Sequence, residues 1–433
     1  MEKRVSRHYA VFCPICGRHS QDDGLTLSCS RDHGPALLRS DYLVKEFAPK
    51  ADSEGLFRYR DWLPVTRTFP TRARTVVFQS EELSAQLGLP NLWIAFNGYW
   101  PERGASIETA TFKELEAYAV LGRLPSDPPV LVVASAGNTA AAFAAVCSRY
   151  RRPCLLIVPR RGLAKMRFRM PLDPAVKLVV LDGADYSDAI ALAESVAALP
   201  GFQAEGGVRN IGRRDGLATV LYASVEAMGQ MPDHYVQAVG SGAGAIAVHE
   251  AATRLLGTGA YGRDLPRLML CQNASFAPLA DSWKSGTREL ATFSADASRA
   301  VTQQVFADEL TNRFPPYAVH SGVFDVLTES SGDMLTVEQA AAEYERDVFS
   351  KVESVDIEPA SAVALAGLRN AVLDRRIPKE ACVLLNITGG GRARLAQDHQ
   401  LYDAEAALVV DLREETAQSL VPRIAGLFPD RAR

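Results

Sequence analysis

Residues 128–150 read PPVLVVASAGNTAAAFAAVCSRY. An unbroken apolar run passes through a few small and polar residues into a stretch of strong helix formers. A strand without apolar–polar alternation is buried on both faces, which calls for a parallel sheet between layers of helix. The same grammar recurs along the chain. PCLLIVP (153–159) and VKLVVLDG (176–183) read as strands, and SDAIALAESVAAL (187–199) as an amphipathic helix with Ser187 or Asp188 near its start. HYVQAVG (234–240) is a strand followed by the helix GAIAVHEAATRLL (244–256), and RLMLCQN (267–273) and ACVLLNI (381–387) are two more strands. Strand–loop–helix repetition predicts an α/β protein with parallel sheets. Such sheets bind ligands beyond the carboxyl ends of their strands, so the strand-end loops carry the information about function.

Three of those loops stand out. ASAGNTAAA (134–142) offers Ser135, Gly137, Asn138 and Thr139 at a helix start, an anion site by dipole and backbone N–H geometry. VGSGAGAIAV (239–248) alternates Gly240, Gly242 and Gly244 with Ser241 and Ala243. Glycines there let the backbone approach a phosphate closely. The strand about 30 residues on ends in Gln272 and Asn273 rather than in an acidic ribose ligand, which disfavours a dinucleotide and favours a phosphate monoester. LLNITGGGRARL (384–395) sets Thr388 before three glycines, implying close approach to something flat or to another backbone.

Lys113, in GASIETATFKELEAYAVL (104–121), is one of nine lysines against thirty-eight arginines. Thr111 and Glu114 read as a capping box, which places Lys113 at the second position of a helix. The positive end of the helix dipole, with any burial, then lowers its pKa and prepares it to attack a carbonyl. An activated lysine, a phosphate cradle, a carboxylate site and a close-packed polar loop together match pyridoxal phosphate.

Length and composition set the bounds. At 433 residues the chain has room for two or three domains. A net charge of −4 gives no reason to expect nucleic acid or an anionic membrane as partner. No apolar run approaches a membrane span, and the N-terminus lacks the pattern of a signal peptide. Seven scattered cysteines suggest a reducing compartment, so a cytoplasmic protein is expected. FCPICG holds Cys13 and Cys16, and CSRDHG holds Cys29 and His33. That is zinc-ribbon spacing, a candidate structural zinc site in a small unit that would need the metal to fold.

The order ATFKE, SAGNT, GSGAG and TGGG resembles the fold-type-II pyridoxal-phosphate enzymes, the tryptophan synthase β-subunit superfamily. The zinc-like head resembles the threonine synthases. RYRDWLPV, FNGYWPERGASIETATFKELEA, EGGVRNIGRRDG, MPDHYVQAVGSGAG and LTNRFPPY resemble most the cysteate synthases, a paralogous group. The likeness covers nearly the whole chain.

The resemblance implies two doubly wound α/β domains: a large cofactor-binding domain over 43–124 and 226–433, a small substrate-carboxylate domain over 125–225, and a zinc-ribbon-like unit over 1–42. It implies that Lys113 holds the cofactor and shuttles the Cα proton, and that Asn138 meets the cofactor's 3-hydroxyl. Gly240, Ser241, Gly242, Ala243 and Gly244 would cradle its phosphate, and Thr388 would face its ring nitrogen. Ser135, Gly137 and Thr139 would take the substrate carboxylate. The implied reaction is β-replacement of O-phospho-L-serine by sulfite through an aminoacrylate, giving L-cysteate and phosphate. Arg209, Arg213 and Arg214 are candidates for the dianions, with Arg313 a further one. Two rivals stay open: a threonine synthase acting on O-phosphohomoserine, and β-replacement with another nucleophile. Threonine synthases usually read SFKDR where this chain has Phe112, Lys113, Glu114 and Leu115. A non-catalytic binding protein is the rival of a different class, disfavoured by the intact lysine. A homo-oligomer is usual for the superfamily.

Overall fold

A computed structural model describes residues 7–135, 137–291, 301 and 305–431. Two sheets carry the chain. The larger has six strands in the order Asp333–Val337, Arg267–Asn273, His234–Ala238, Val383–Ile387, Leu92–Phe96, Val76–Gln79. All neighbours are parallel except the last pair. The smaller has five parallel strands, Phe202–Ala204, Val130–Ala134, Cys154–Pro159, Val176–Asp182 and Leu408–Asp411. The apolar runs read as buried strands lie inside these sheets, with Leu155, Leu156, Ile157 and Val158 showing no exposed surface.

Two domain boundaries differ from expectation. The C-terminal strand Leu408–Asp411 returns to the smaller sheet, pairing with Val176–Asp182. Val410, Leu420, Ile424 and Phe428 complete that sheet's core. The strand Leu408–Asp411 and the helix Ala417–Ala425 therefore pack on the smaller sheet, where the strand covers the edge at Val176–Asp182. The helix Ile211–Met228 packs against both the lysine helix Lys113–Arg123 and the helix Ala243–Leu256, so it crosses the expected boundary at 225.

The N-terminal unit is a three-stranded antiparallel sheet, His19–Ser20, Tyr9–Phe12 and Arg39–Tyr42. It is not separate from the rest: Tyr9, Val11, Leu37, Leu38 and Tyr42 join the main core. A buried ion pair ties the two together. Arg123, at the end of the lysine helix, donates from Nε and Nη2 to Asp22 at 2.9 and 2.8 Å, and from Nη1 to Asn210 at 2.9 Å. Burial disfavours the Asp22 carboxylate, but the hydrogen bonds and charge of Arg123, with the hydroxyl of Tyr9, outweigh it and hold its pKa below the usual value.

Candidate active site

The three loops and the lysine converge. Lys113, Ser135, Gly137, Asn138, Thr139, Gly240, Ser241, Gly242, Ala243, Gly244 and Thr388 line one crevice of about 110 Å³, together with Arg213 and Tyr186. Each of the three loops is set there by a strand end. Ser135 follows the strand Val130–Ala134, and Asn138 and Thr139 open the helix Asn138–Arg149. The GSGAG loop follows His234–Ala238 and leads into the helix Ala243–Leu256, where Gly242 caps the helix at φ +76°. A Cβ on Gly242 would sit 2.4 Å from Val323 Cγ2 and would also force a left-handed backbone on an L-residue. Gly137 is held at φ +147°, and a Cβ there would lie 2.7 Å from Lys165 Cδ. The close approach predicted for TGGG is to another backbone: Gly389 bridges Thr111, and Gly390 bridges Ile357.

Lys113 sits differently from expectation. The helix begins at Lys113, and Phe112 occupies the cap position without a side-chain cap. The Thr111–Glu114 capping box does not form. Thr111 is drawn instead to the TGGG loop, its Oγ1 pointing to the Thr388 carbonyl at 3.4 Å. Glu114 reaches back past it to the N–H and hydroxyl of Thr109 at 2.9 and 3.0 Å. The pKa of Lys113 is lowered all the same, with burial the leading cause. Burial lowers it first, the carboxylate of Glu116 opposes this, and the charge of Arg213 lowers it further.

The arginines separate. Arg213 forms an ion pair with Glu116 at 2.8 Å and donates from Nε to Glu205 at 2.9 Å at the mouth of the crevice. Arg214 does not reach the site. It is fully buried on the far side of its helix, bonded to Glu250 at 3.1 Å and to the carbonyls of Val208 and Leu38. Consecutive helical residues point about 100° apart, so two neighbouring arginines cannot both face one pocket. Arg313 pairs with Asp185 at 3.3 Å and with Ser187. Arg209 is exposed, forms no ion pair among the described residues, and lines a second cavity of about 610 Å³. That cavity shares Tyr186, Arg213, Ser241 and Asn312 with the crevice, and so forms its vestibule. Its outer wall is the N-terminal unit, including Cys29, Arg31 and His33.

Sequence reading missed four polar groups around the crevice. Glu116 contacts Lys113 Nζ at 3.4 Å. Glu358 accepts from Asn138 Nδ2 at 2.8 Å and from Arg392 at 2.7 Å. Lys165 spans from the small domain to Asp308 and Glu309 at 2.7 and 3.3 Å. Burial pushes the Glu309 carboxyl up to about 7, with Lys165 opposing. None of the four lies in a glycine-rich loop, so only the partners that the fold brings to them reveal them.

The family model for pyridoxal-phosphate-dependent enzymes matches residues 69–389. The chain belongs to the pyridoxal-phosphate-dependent enzyme family. Among curated members of this family, the chain is 42% identical over 391 residues to a cysteate synthase of Methanospirillum hungatei, covering 90% of this chain and 92% of that protein. It is 41% identical over 402 residues to a cysteate synthase of Methanosarcina barkeri, covering 92% and 95%. Solved pyridoxal-phosphate enzymes share the fold. Maize serine racemase aligns with a TM-score of 0.54 at 16% identity, covering 75% of this chain and 91% of that one. The processed form of threonine deaminase isoform 2 from Solanum lycopersicum aligns at 0.55 and 18%, covering 82% and 83%.

The crevice suits the family's cofactor. It offers an amine kept toward its neutral form, and a loop in which a Cβ on Gly242 would clash, at the start of a 14-residue helix able to receive a phosphate. It also offers a buried hydroxyl at Thr388. The N-terminal cluster suits a metal. The ligand atoms of Cys13, Cys16, Cys29 and His33 all lie within 4.8 Å of one another. Cys16 Sγ and Cys29 Sγ are 3.8 Å apart, and Cys13 Sγ and His33 Nε2 are 3.3 Å apart. A tetrahedral zinc with ordinary bond lengths has S···S edges of about 3.8 Å and S···N edges of about 3.6 Å. His33 Nδ1 lies 2.7 Å from the Gly34 carbonyl, which favours a proton on Nδ1 and leaves Nε2 free to ligate.

Proposed function

We propose that this enzyme carries out β-replacement on O-phospho-L-serine with sulfite, yielding L-cysteate and phosphate. The observation that carries the reading is identity of about two residues in five with curated cysteate synthases, over nine-tenths of both chains. Bound pyridoxal phosphate supplies an electron sink conjugated to the substrate Cα. The rest falls to the chain. Lys113 is the amine that holds the cofactor aldehyde and moves the Cα proton. The N–H groups and Ser241 hydroxyl of residues 240–244 receive the cofactor phosphate, Asn138 meets the 3-oxygen, and Thr388 faces the ring nitrogen. Ser135, Gly137 and Thr139 receive the substrate carboxylate. No helix of the described residues is long and apolar enough to cross a membrane. Seven cysteines scattered along the chain fit a reducing, cytoplasmic setting, and a homo-oligomer is the assembly we infer.

Both dianions, the departing phosphate and the incoming sulfite, need cations. Arg213 is already held between two carboxylates and Arg214 is turned to the core, so of these three candidate arginines Arg209 at the vestibule is the one available to them. Arg209→Ala is expected to raise KM for O-phospho-L-serine and sulfite by about 10-fold, the value of a charge-assisted hydrogen bond, while leaving the cofactor absorbance intact. Steady-state kinetics with each substrate varied in turn checks this. The function itself is tested by phosphate release with sulfite, with sulfide and with no nucleophile, the product being identified by mass spectrometry. Cysteate formed only with sulfite supports it. Threonine from O-phosphohomoserine, with O-phosphoserine inert, overturns it.

The Cys13, Cys16, Cys29 and His33 cluster is proposed to hold a structural zinc. Elemental analysis should find a single zinc per chain in the wild type and little in Cys29→Ser. Because Cys29 and His33 also wall the vestibule, chelation should loosen that wall, exposing Cys13 to thiol reagents.

A further inference from the structure

Glu116 has no exposed surface and lies one helical turn beyond Lys113. Its Oε2 is 3.4 Å from Lys113 Nζ. Its Oε1 accepts from the Thr139 hydroxyl at 3.2 Å and faces Arg213 Nη1 at 2.8 Å. A single buried carboxylate thus touches the reactive amine, a residue of the carboxylate loop and the mouth arginine. A buried carboxylate is costly unless fully paired, so one placed here needs an explanation.

We propose that Glu116 is a positioning residue that stabilises Lys113 as an ammonium during Cα proton transfer and couples that state to Thr139 and Arg213. The inference rests on reading Lys113 as the cofactor lysine. When the Cα–H bond breaks, Lys113 Nζ would receive the proton, and pyridoxal phosphate, when bound, would supply the sink for the electron pair. The ammonium so formed lies in a buried crevice beside Arg213, whose charge opposes it. Glu116 is the carboxylate that offsets both burial and that charge, and Glu205 contributes from behind Arg213. Glu116 accepts the hydrogen bond from Nζ at Oε2 while its other oxygen is held by Arg213 and Thr139. The proton then returns from Nζ to Cα once the nucleophile has added.

This assignment makes two predictions of opposite sign. In Glu116→Gln the ammonium loses its counter-charge, so proton exchange between Cα and deuterated solvent, followed by NMR in the holoenzyme, should slow by about 10²-fold. The acid limb of its pH profile should shift to lower pH, because the amine now loses its proton more readily. Capture of pyridoxal phosphate by the cofactor-free enzyme requires the neutral amine. At neutral pH it should therefore quicken, by up to about 10-fold for loss of a unit charge at this distance. The groups around Nζ that could also move the profile are Arg213 and Glu205, with Tyr186 on the crevice wall, and all three are retained in the variant. Glu116→Asp keeps the charge but withdraws it, and should fall between wild type and Glu116→Gln in both assays. If Glu116→Gln does not fold, Glu116→Asp carries the test. Slower exchange together with slower capture would mean a merely structural role and would overturn the proposal, as would no change in either. Exchange is followed with any amino acid whose addition shifts the cofactor band. Failure of the substrate reading then appears in the wild-type rate with O-phosphoserine, and failure of this inference only in the ratio of variant to wild type.

Discussion

Lys113→Ala is expected to abolish the visible absorbance of covalently held cofactor and to lower product formation by at least about 10³-fold. On the proposed reading two roles are lost at once: the amine that holds the aldehyde, and the base that moves the Cα proton. Proton transfer by a positioned group contributes about 10²–10⁴-fold by itself. The fold should tolerate the change. The lysine side chain is still 19% exposed, and the carboxylate it contacts keeps Arg213 and Thr139 as partners. Far-ultraviolet circular dichroism unchanged from wild type, with the cofactor band gone, is the expected pair of observations. A variant that retains the band and turns over would show that another amine holds the cofactor.

The largest effect on stability is expected at Asp22→Ala. Arg123 is 1% exposed and would be left with its charge buried and its two bonds to Asp22 broken. Removing one partner of a buried ion pair costs about 3–5 kcal/mol, whereas exchanging the whole pair for apolar residues can be neutral. Asp22→Leu combined with Arg123→Met should therefore recover much of what Asp22→Ala loses, in denaturant unfolding followed by fluorescence. The pH dependence has a definite sign. The Asp22 carboxyl has a depressed pKa in the folded state, so its contribution is in place above the unfolded value. It is lost only as pH falls through the folded value, below the ordinary carboxylate range. Because Arg123 ends the lysine helix, the loss should also loosen the N-terminal unit that walls the vestibule.

Much of the site was legible because it is built from short-range features. A strand, a loop of small residues and a helix are contiguous in sequence, so SAGNT, GSGAG and TGGG announce themselves. Parallel strand ends then bring them to one edge. The grouping of four metal-ligating side chains was equally legible, since Cys13 and Cys16 share a knuckle and Cys29 and His33 lie four residues apart. The capping box failed for the opposite reason. Thr111 and Glu114 have the right spacing, but Thr111 is committed to a loop almost 280 residues away, and that contact outranks a local cap worth about 1 kcal/mol.

Residue types and spacing alone determined the α/β class, the three strand-end loops and the lysine that share one crevice, and the grouping of Cys13, Cys16, Cys29 and His33, because each is a local pattern with a local cause. Only the tertiary structure decided between like residues. KELE contains two glutamates, and the helical turn sends Glu114 back to Thr109 while Glu116, three positions on, shares a face with Lys113. The adjacent arginines at 213 and 214 divide in the same way, one to the crevice and one to the core. The return of residues 408–411 to the smaller sheet was likewise invisible in the sequence, because a short apolar strand carries no record of which open edge it will cover.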